Sequence, residues 1–412
     1  MAQRVLLLTT PSSYRLPAFL EAGERLGIEL LVAEDMPAAL AGRAGLRIGL
    51  DFADEAGATR TLLTVAAEAP LAAVIAVDDS GSLLAARVSA ALGLPHNRPE
   101  AAEAARDKYR MRQLFAQAGV PSPAFRLCST DDDLAALATR IAYPCVVKPL
   151  RLNGSRGVIR ADGPEGFVAA ARRIARLLDR LEGPGPHQFL AEAFIPGFEV
   201  ALEGLIDRGR LQVLALFDKP DPLDGPFFEE TIYVTPSRLP PEVQQAIGEV
   251  AARAATAVGL ERGPLHAELR VNEAGPWMVE LAGRTIGGLC SRTLRFGTDA
   301  SLEELILRQA TGLPVESLSA AGSAGGVMMI PIPGPGVLRA VHGVAEARAV
   351  PGIESVEITA PLHYPLVPLP EGDAYLGFIF ARGERPEQVE AALRASHDLL
   401  AFELMPEIPV LS

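Results

Sequence analysis

The sequence predicts a mixed α/β chain that opens on a doubly wound parallel sheet and closes on a small α+β cap, and three observations predict it. Short apolar runs at 4–8 (RVLLL), 29–33 (ELLVA) and 72–77 (AAVIAV) are separated by helical patterns, as strands buried on both faces are. The stretch 261–296, ERGPLHAELRVNEAGPWMVELAGRTIGGLCSRTLRF, alternates polar and apolar residues like a β-hairpin. Beyond about Glu316 the composition turns to SLSAAGSAGGVMMIPIPGPGV, followed by short strands (GVMMIPI, IESVEIT, YLGFIFA) and one helix over 386–400. The expected divisions are an N-terminal domain over 1–98, a central domain over 99–315 with subdomains 99–189 and 190–315, and a C-terminal domain over 316–412.

The first strand runs into Thr9-Thr10-Pro11-Ser12-Ser13, which lacks the glycines that let a backbone approach a pyrophosphate. This argues against a dinucleotide site. Asp78-Asp79-Ser80-Gly81-Ser82 follows the third strand at its carboxyl end, where ligands of such sheets gather and plain loops also lie. Pro99 opens a helix, PEAAEAARDKYRMRQLFAQAG, closed by Gly119 and Pro121. On it Lys108 and Arg112 stand four apart and repel unless an anion accepts both. The next strand, YPCVVKP, buries Lys148 among Val146, Val147 and Pro149, so its ammonium needs a partner.

Residues 150–158, LRLNGSRGV, follow at once. Their Gly154, Ser155 and Gly157 make a loop able to fold N–H groups over phosphates, although many turns look alike. Gly183-Pro184-Gly185-Pro186 marks a break, and 188–206 gives two strands around Pro196-Gly197. These form a plain hairpin, or else Glu192, Ala193, Phe194 and Ile195 offer backbone groups to a base while Glu199 accepts from ribose hydroxyls. Lys219 is then expected in a proline-rich loop, with Glu229, Glu230 and Tyr233 on a strand. A helix from Pro240-Pro241 carries Val243, Ile247, Val250, Ala254 and Val258 at helical spacing, a core stripe.

In the hairpin, His266, Glu268 and Arg270 share one face while Leu265, Ala267, Leu269 and Val271 share the other. The returning strand sets Met278, Glu280 and Ala282 against Trp277, Val279 and Leu281. A five-residue connection, 272–276, places Val271 opposite Trp277 and Glu268 opposite Glu280. Facing carboxylates repel by roughly 0.2 to 1 kcal/mol, so a cation is expected between them unless both are solvated. Oxygen-only ligands suit Mg²⁺, or Mn²⁺ in its place. Arg284 and Gly287-Gly288 follow within eight positions of Glu280, which fits a transferring phosphoryl group better than a solvated face. His266 orients substrate, holds charge or is structural. Cys290 reads as pocket lining, since no base accompanies it.

The 412 residues carry a formal charge of −13, which argues against a nucleic-acid surface held by net attraction. Cys128, Cys145 and Cys290 have no metal spacing and are expected as reduced thiols. Arg4 to Leu8 run straight into a strand, and no uninterrupted 18-residue apolar run occurs. A soluble cytoplasmic chain without a membrane partner is expected. Only three of the 38 basic residues are lysines, Lys108, Lys148 and Lys219, so each invites a specific role beside the alternative of chance. An ammonium approaches a phosphate oxygen as a point charge where a planar guanidinium does not fit. No lysine lies in a GxxxxGK[ST] motif, which excludes a P-loop.

Taken together, Lys108 in DKYRMR, Lys148 with the GSRG loop, AEAFIPGFE, Glu268 with Glu280, and Arg284 before Gly287-Gly288 resemble the ATP-grasp superfamily of carboxylate-amine ligases. They look most like the bacterial L-amino-acid ligases that make dipeptides. The resemblance implies the ATP-grasp fold, ATP and Mg²⁺ as cofactors, and a small-molecule carboxylate and amine as substrates, with a homodimer allowed. It implies that Lys108 and Lys148 hold phosphates under Ser155 and Gly157, that residues 192–195 take adenine and that Glu199 takes ribose. Glu268 and Glu280 would be metal ligands and Arg284 would stabilise the phosphorylated intermediate. Two departures stand out: Ala282 replaces the asparagine of E-x-N-x-R, which removes a ligand for a second Mg²⁺, and Tyr233 replaces the histidine of E-T-x-H-x-x-P. Glu230, Tyr233, His266, Gly287 and Gly288 then shape the substrate pocket. A carboxyphosphate-forming ligase of purine or biotin type and a nonenzymatic nucleotide-binding module are the alternatives.

Overall fold

Four parallel strands, in the spatial order Arg47–Leu50, Glu29–Asp35, Arg4–Thr9 and Ala73–Ala76, form the first sheet of the computed structural model. The structure describes residues 3–11, 13–41, 47–297, 299–315 and 322–406; Ser12 and the expected boundary at Glu316 lie outside them. The apolar run of the first strand has a simple cause. Val5 and Leu7 pack with Leu16 and Phe19, whereas Leu6 and Leu8 pack with Leu62 and Leu84 on the opposite face. The edge strand Arg47–Leu50 is too short to have signalled itself. Strand order reverses between Arg4–Thr9 and Ala73–Ala76, and there Thr9 Oγ1 donates to Asp78 at 3.0 Å. Such a switch point leaves a crevice at the carboxyl ends of the strands.

An antiparallel sheet of Phe125–Ser129, Gln188–Ala193, Cys145–Pro149 and Ile159–Ala161 comes next, with the helix Pro164–Glu182 packed on it through Phe167, Ala171 and Ile174. The third sheet has eight strands, in the order Gly275–Ala282, Arg262–Asn272, Phe198–Asp207, Arg210–Lys219, Ile232–Thr235, Ala324–Ile330, Gly377–Gly383 and Ile353–Ile358. Strands from both sides of residue 316 therefore belong to one surface. The remaining C-terminal strands, Gly336–His342, Pro365–Leu366 and Ala401–Met405, make a small third layer beside the helices Val344–Arg348 and Pro386–His397. Among the described residues, no helix is long and apolar enough to cross a membrane.

Several local expectations are corrected. The helix from Pro99 breaks into Pro99–Ala104 and Lys108–Gln117, because the Asp107 carboxylate accepts from the N–H groups of Tyr109 and Arg110 and starts a new helix. The strands around Pro196-Gly197 are not a hairpin, since they join different sheets. Lys219 ends a strand rather than lying in a loop, and Glu229 and Glu230 precede the strand Ile232–Thr235. All three cysteines are free and buried, and burial pushes the Cys128 and Cys145 thiols up to about 11.

Candidate active site

The hairpin pairs Glu268 with Glu280, but not by the expected turn. Asn272 faces Gly275 across a two-residue tip and Val271 faces Pro276; a bulge between Glu268 and Leu269 then restores the pairing of the two carboxylates. The bulge also breaks the alternation of the second strand. Met278 and Leu281 both enter the core, while Val279 turns to the cavity with Glu280 and its carbonyl accepts from Arg112. On the first strand the reading of faces holds: Leu265, Ala267 and Leu269 are fully buried, and His266, Glu268 and Arg270 line the cavity.

That cavity, of about 870 Å³, is lined by residues of the second and third sheets, of the loops after the first and of the strand Pro365–Leu366, and is within the usual range for a small-molecule site. At one corner Lys148 Nζ is 2.6 Å from Glu192, whose carboxylate also takes Arg112 Nε at 2.8 Å. Burial pushes the Glu192 carboxyl up, but Arg112 and Lys148 outweigh it and the net direction is down. Burial and the Arg112 charge draw the Lys148 ammonium below its usual range, against the pull of Glu192. One carboxylate shared by two cations leaves surplus positive charge facing the cavity. Lys108 points to the same corner, 2.7 Å from the Leu152 carbonyl and 3.3 Å from Glu280. Lys108 and Arg112 thus serve separate anions rather than one.

Across the cavity the register of three strands pairs acid with base. Glu203 stands opposite His266, and Glu199 stands opposite both Arg270 and Lys219. Lys219 Nζ lies 2.9 Å from Glu199, 2.5 Å from Glu230 and 3.3 Å from Glu268, with the Tyr233 ring centroid 5.0 Å away. Burial alone would lower this ammonium; the three carboxylates raise it well above its ordinary value. Burial favours the proton on Glu230, pushed up to about 7, while Glu268 is held well below the usual range because Lys219 and His266 outweigh its burial.

His266 is clamped between Glu203 at 2.5 Å and Glu268 at 3.3 Å, which outweighs its burial and lifts it to about 9. A folded-state value above the ordinary 6.5 means that the cation's contribution is complete below pH 6.5 and fades as pH climbs through 9. Metal-free protein is therefore expected to lose stability over that window, and His266→Gln to flatten the loss, as read from denaturant midpoints across pH.

Arg284 is drawn to Asp79 at 2.6 Å and donates to the Thr285 carbonyl at 2.7 Å. Asp79 also accepts from Asn153 of the 150–158 loop at 3.0 Å. That loop is clasped from the far side as well: Gly157 N–H donates to the Pro370 carbonyl at 2.8 Å, and Arg156 reaches the Glu371 carbonyl at 2.7 Å. Gly157 has φ +73°, and a Cβ there would stand 2.7 Å from Pro149 Cγ, so only glycine fits this fold-back. Ser155 lines the cavity on the same loop.

Other expected residues are placed differently. Glu192 to Ile195 line the cavity, but Ala193 N–H is bound to the Ala124 carbonyl, Phe194 N–H to the Pro144 carbonyl, and the Ile195 carbonyl accepts from Arg270. The Ala193 and Phe194 N–H groups are thereby committed to the backbone, and the Glu192 side chain turns to Lys148. Tyr233 is almost wholly buried and lies over Lys219, yet it reaches the cavity wall as expected. Gly287 and Gly288 line the cavity, whereas Cys290 sits behind them with no exposure, so the lining role expected of it is corrected. Lys219, Asp79, Glu203 and Arg112 were not among the expected site residues. Lysine scarcity marked Lys219, and Glu203 keeps the period-two face of Glu199.

The comparisons with known proteins bear on the fold and its domains. Residues 141–293 match an ATP-grasp domain, 20–96 an ATP-grasp N-terminal domain, and 328–405 an L-amino acid ligase C-terminal domain 2. The crystal structure of an L-amino acid ligase from Bacillus licheniformis superposes with a TM-score of 0.83 at 26% identity, covering 98% of this chain and 99% of that one. The chain thus carries an ATP-grasp domain followed by a C-terminal domain of the L-amino acid ligase type. This ATP-grasp chain is also 31% identical over 237 residues to the alanine–anticapsin ligase of Bacillus subtilis, covering 52% of this chain and 49% of that protein. Matches to the curated relatives span from 49% to 69% of their length. A biotin carboxylase domain from Hydrogenobacter thermophilus, solved with MgADP and bicarbonate, has a TM-score of 0.69 at 17% identity over 98% of this chain and 91% of its own, a likeness of fold.

Proposed function

We propose that this ATP-grasp chain joins a carboxylate, an L-amino acid, to an amine through an acyl phosphate, releasing ADP and phosphate. The observation that carries the reading is the pairing of Glu268 with Glu280 on the cavity wall, with Lys108 3.3 Å from Glu280. The donor set fits a hard divalent cation, since two carboxylates are register partners on the cavity wall and Glu280 remains partly open. Glu268 and Glu280 would hold Mg²⁺, or Mn²⁺, which when bound neutralises charge on the transferring phosphoryl group. Glu199, Glu230 and Glu268 also lie close enough to hold a metal, but Lys219 already sits among all three.

The chain's own groups supply positioning and charge. Lys108 and Lys148 take triphosphate oxygens, with Arg112 adding positive charge behind Glu192. The 150–158 loop excludes water that would hydrolyse the acyl phosphate. Residues 192–195 border the adenine end, and Glu199, which already accepts from Lys219 and Arg270, faces the ribose with its remaining lone pairs. Arg284, steered by Asp79, faces the reacting carboxylate. A carboxylate oxygen of the acid bonds to the γ-phosphorus as ADP leaves; the free amine then forms the C–N bond as phosphate leaves. Glu230, Tyr233, His266, Gly287 and Gly288 shape the acid's pocket, closed by residues of the 316–412 cap. The divisions 1–98, 99–315 and 316–412, a cytoplasmic location and a homodimer belong to the same proposal.

A screen of amino acid pairs for phosphate release, with mass spectrometry of the products, tests it. Release of ADP and phosphate only when acid and amine are both present is expected. AMP and pyrophosphate as products would contradict the reading, and bicarbonate as sole co-substrate would mark the carboxyphosphate route.

A further inference from the structure

The cations that line the cavity are not equally satisfied. Lys108, Lys148, Lys219, Arg270 and Arg284 each hold a carboxylate at 3.3 Å or closer. Arg15 does not. Its side chain is 10% exposed, its closest carboxylate is Asp78 at 3.6 Å, and its Nε has no hydrogen-bond partner among the described residues. Asp78 cannot come nearer at no cost, because its oxygens already accept from Thr9 Oγ1, Thr10 N–H and Ser13 Oγ at 3.0, 3.2 and 3.0 Å. The remaining bonds of Arg15, to the Thr285 carbonyl and hydroxyl, are 3.3 and 3.4 Å, long for a charged donor. A buried guanidinium with an idle N–H is destabilising unless something else accepts from it.

Its place says what that is. The Thr285 carbonyl that Arg15 touches also accepts from Arg284 at 2.7 Å, so the two guanidinium groups stand side by side. Beyond them the wall is Gly287-Gly288, with no side chains, and Tyr14 Oη accepts from Gly288 N–H at 2.7 Å, closing the N-terminal unit onto this loop. If Arg284 faces the acyl group, as proposed above, the attacking amine arrives next to it, and in an α-amino acid the carboxylate carbon is two bonds from that nitrogen.

Resting on that ligase reading, we propose that Arg15 binds a carboxylate of the amine substrate and selects amines that carry one. The test compares L-alanine with L-alaninamide, by calorimetry in the presence of Mg²⁺ and ADP and as amine in steady-state turnover. Wild type is expected to favour L-alanine by about 10- to 100-fold, as one charge-assisted contact allows. R15M loses that preference through affinity and KM rather than kcat, R15K recovers part of it, and R15Q serves if R15M does not fold. Equal binding of both probes by the wild type, or an unchanged preference in R15M or R15Q, would overturn the proposal. Failure of the ligase reading looks different: no acid and amine pair releases ADP, whatever the binding preference.

Discussion

Glu280→Gln lowers acid- and amine-dependent ADP release by about 10³-fold or more, on the order of 4 kcal/mol of transition-state stabilisation, and leaves the fold intact. The second half follows from its surroundings. Its side chain is 28% exposed, and its one ion pair among the described residues is with Lys108, which keeps the Leu152 carbonyl when the charge is removed. Glu268→Gln is the less clean experiment, because that carboxylate also offsets Lys219 and His266 in the buried cluster. Glu268→Gln is therefore expected to lose stability as well as turnover. Steady-state rates beside denaturant midpoints separate the two effects.

Arg112→Met is expected to destabilise the protein by about 3 to 5 kcal/mol, the usual range for breaking a buried ion pair by removing one partner. Arg112 is 1% exposed and holds both oxygens of Glu192, at 2.8 and 3.2 Å. Without it that carboxylate keeps only Lys148. The Val279 carbonyl, turned to the cavity by the bulge, also loses its donor, so the strand that presents Glu280 loosens and turnover falls with stability. Adding Glu192→Met should return neither stability nor rate, since Lys148 then loses the carboxylate 2.6 Å away and is itself left as a buried unpaired charge. Urea midpoints and initial rates for the two single variants and the double variant check this.

What the sequence made legible depends on how local the cause is. The pairing of Glu268 with Glu280 follows from alternation that only one face of the core accepts, and the two-sided apolar runs of the parallel sheet are equally local. The two-residue tip and the bulge were not legible, because the donor that engages Val279 comes from a helix far earlier in the chain. The helix break at Asp107 carried a readable signal, an aspartate two and three residues before the N–H groups it caps, and the longer apolar pattern masked it. Lys148 announced a need for a partner without naming it; Glu192 looked like part of a base-binding segment until the two strands were seen to be neighbours. Arg15 left no trace at all, since an arginine after a strand is ordinary until its missing partner can be seen.

The most direct test of the central claim is an isotope transfer. The acid substrate found in the pair screen is labelled with ¹⁸O in its carboxylate, turned over with ATP and the amine, and the released phosphate is examined by mass spectrometry. If the acid attacks the γ-phosphorus, one ¹⁸O appears in the phosphate for each bond made. Unlabelled phosphate, or label found only in AMP, would contradict the account.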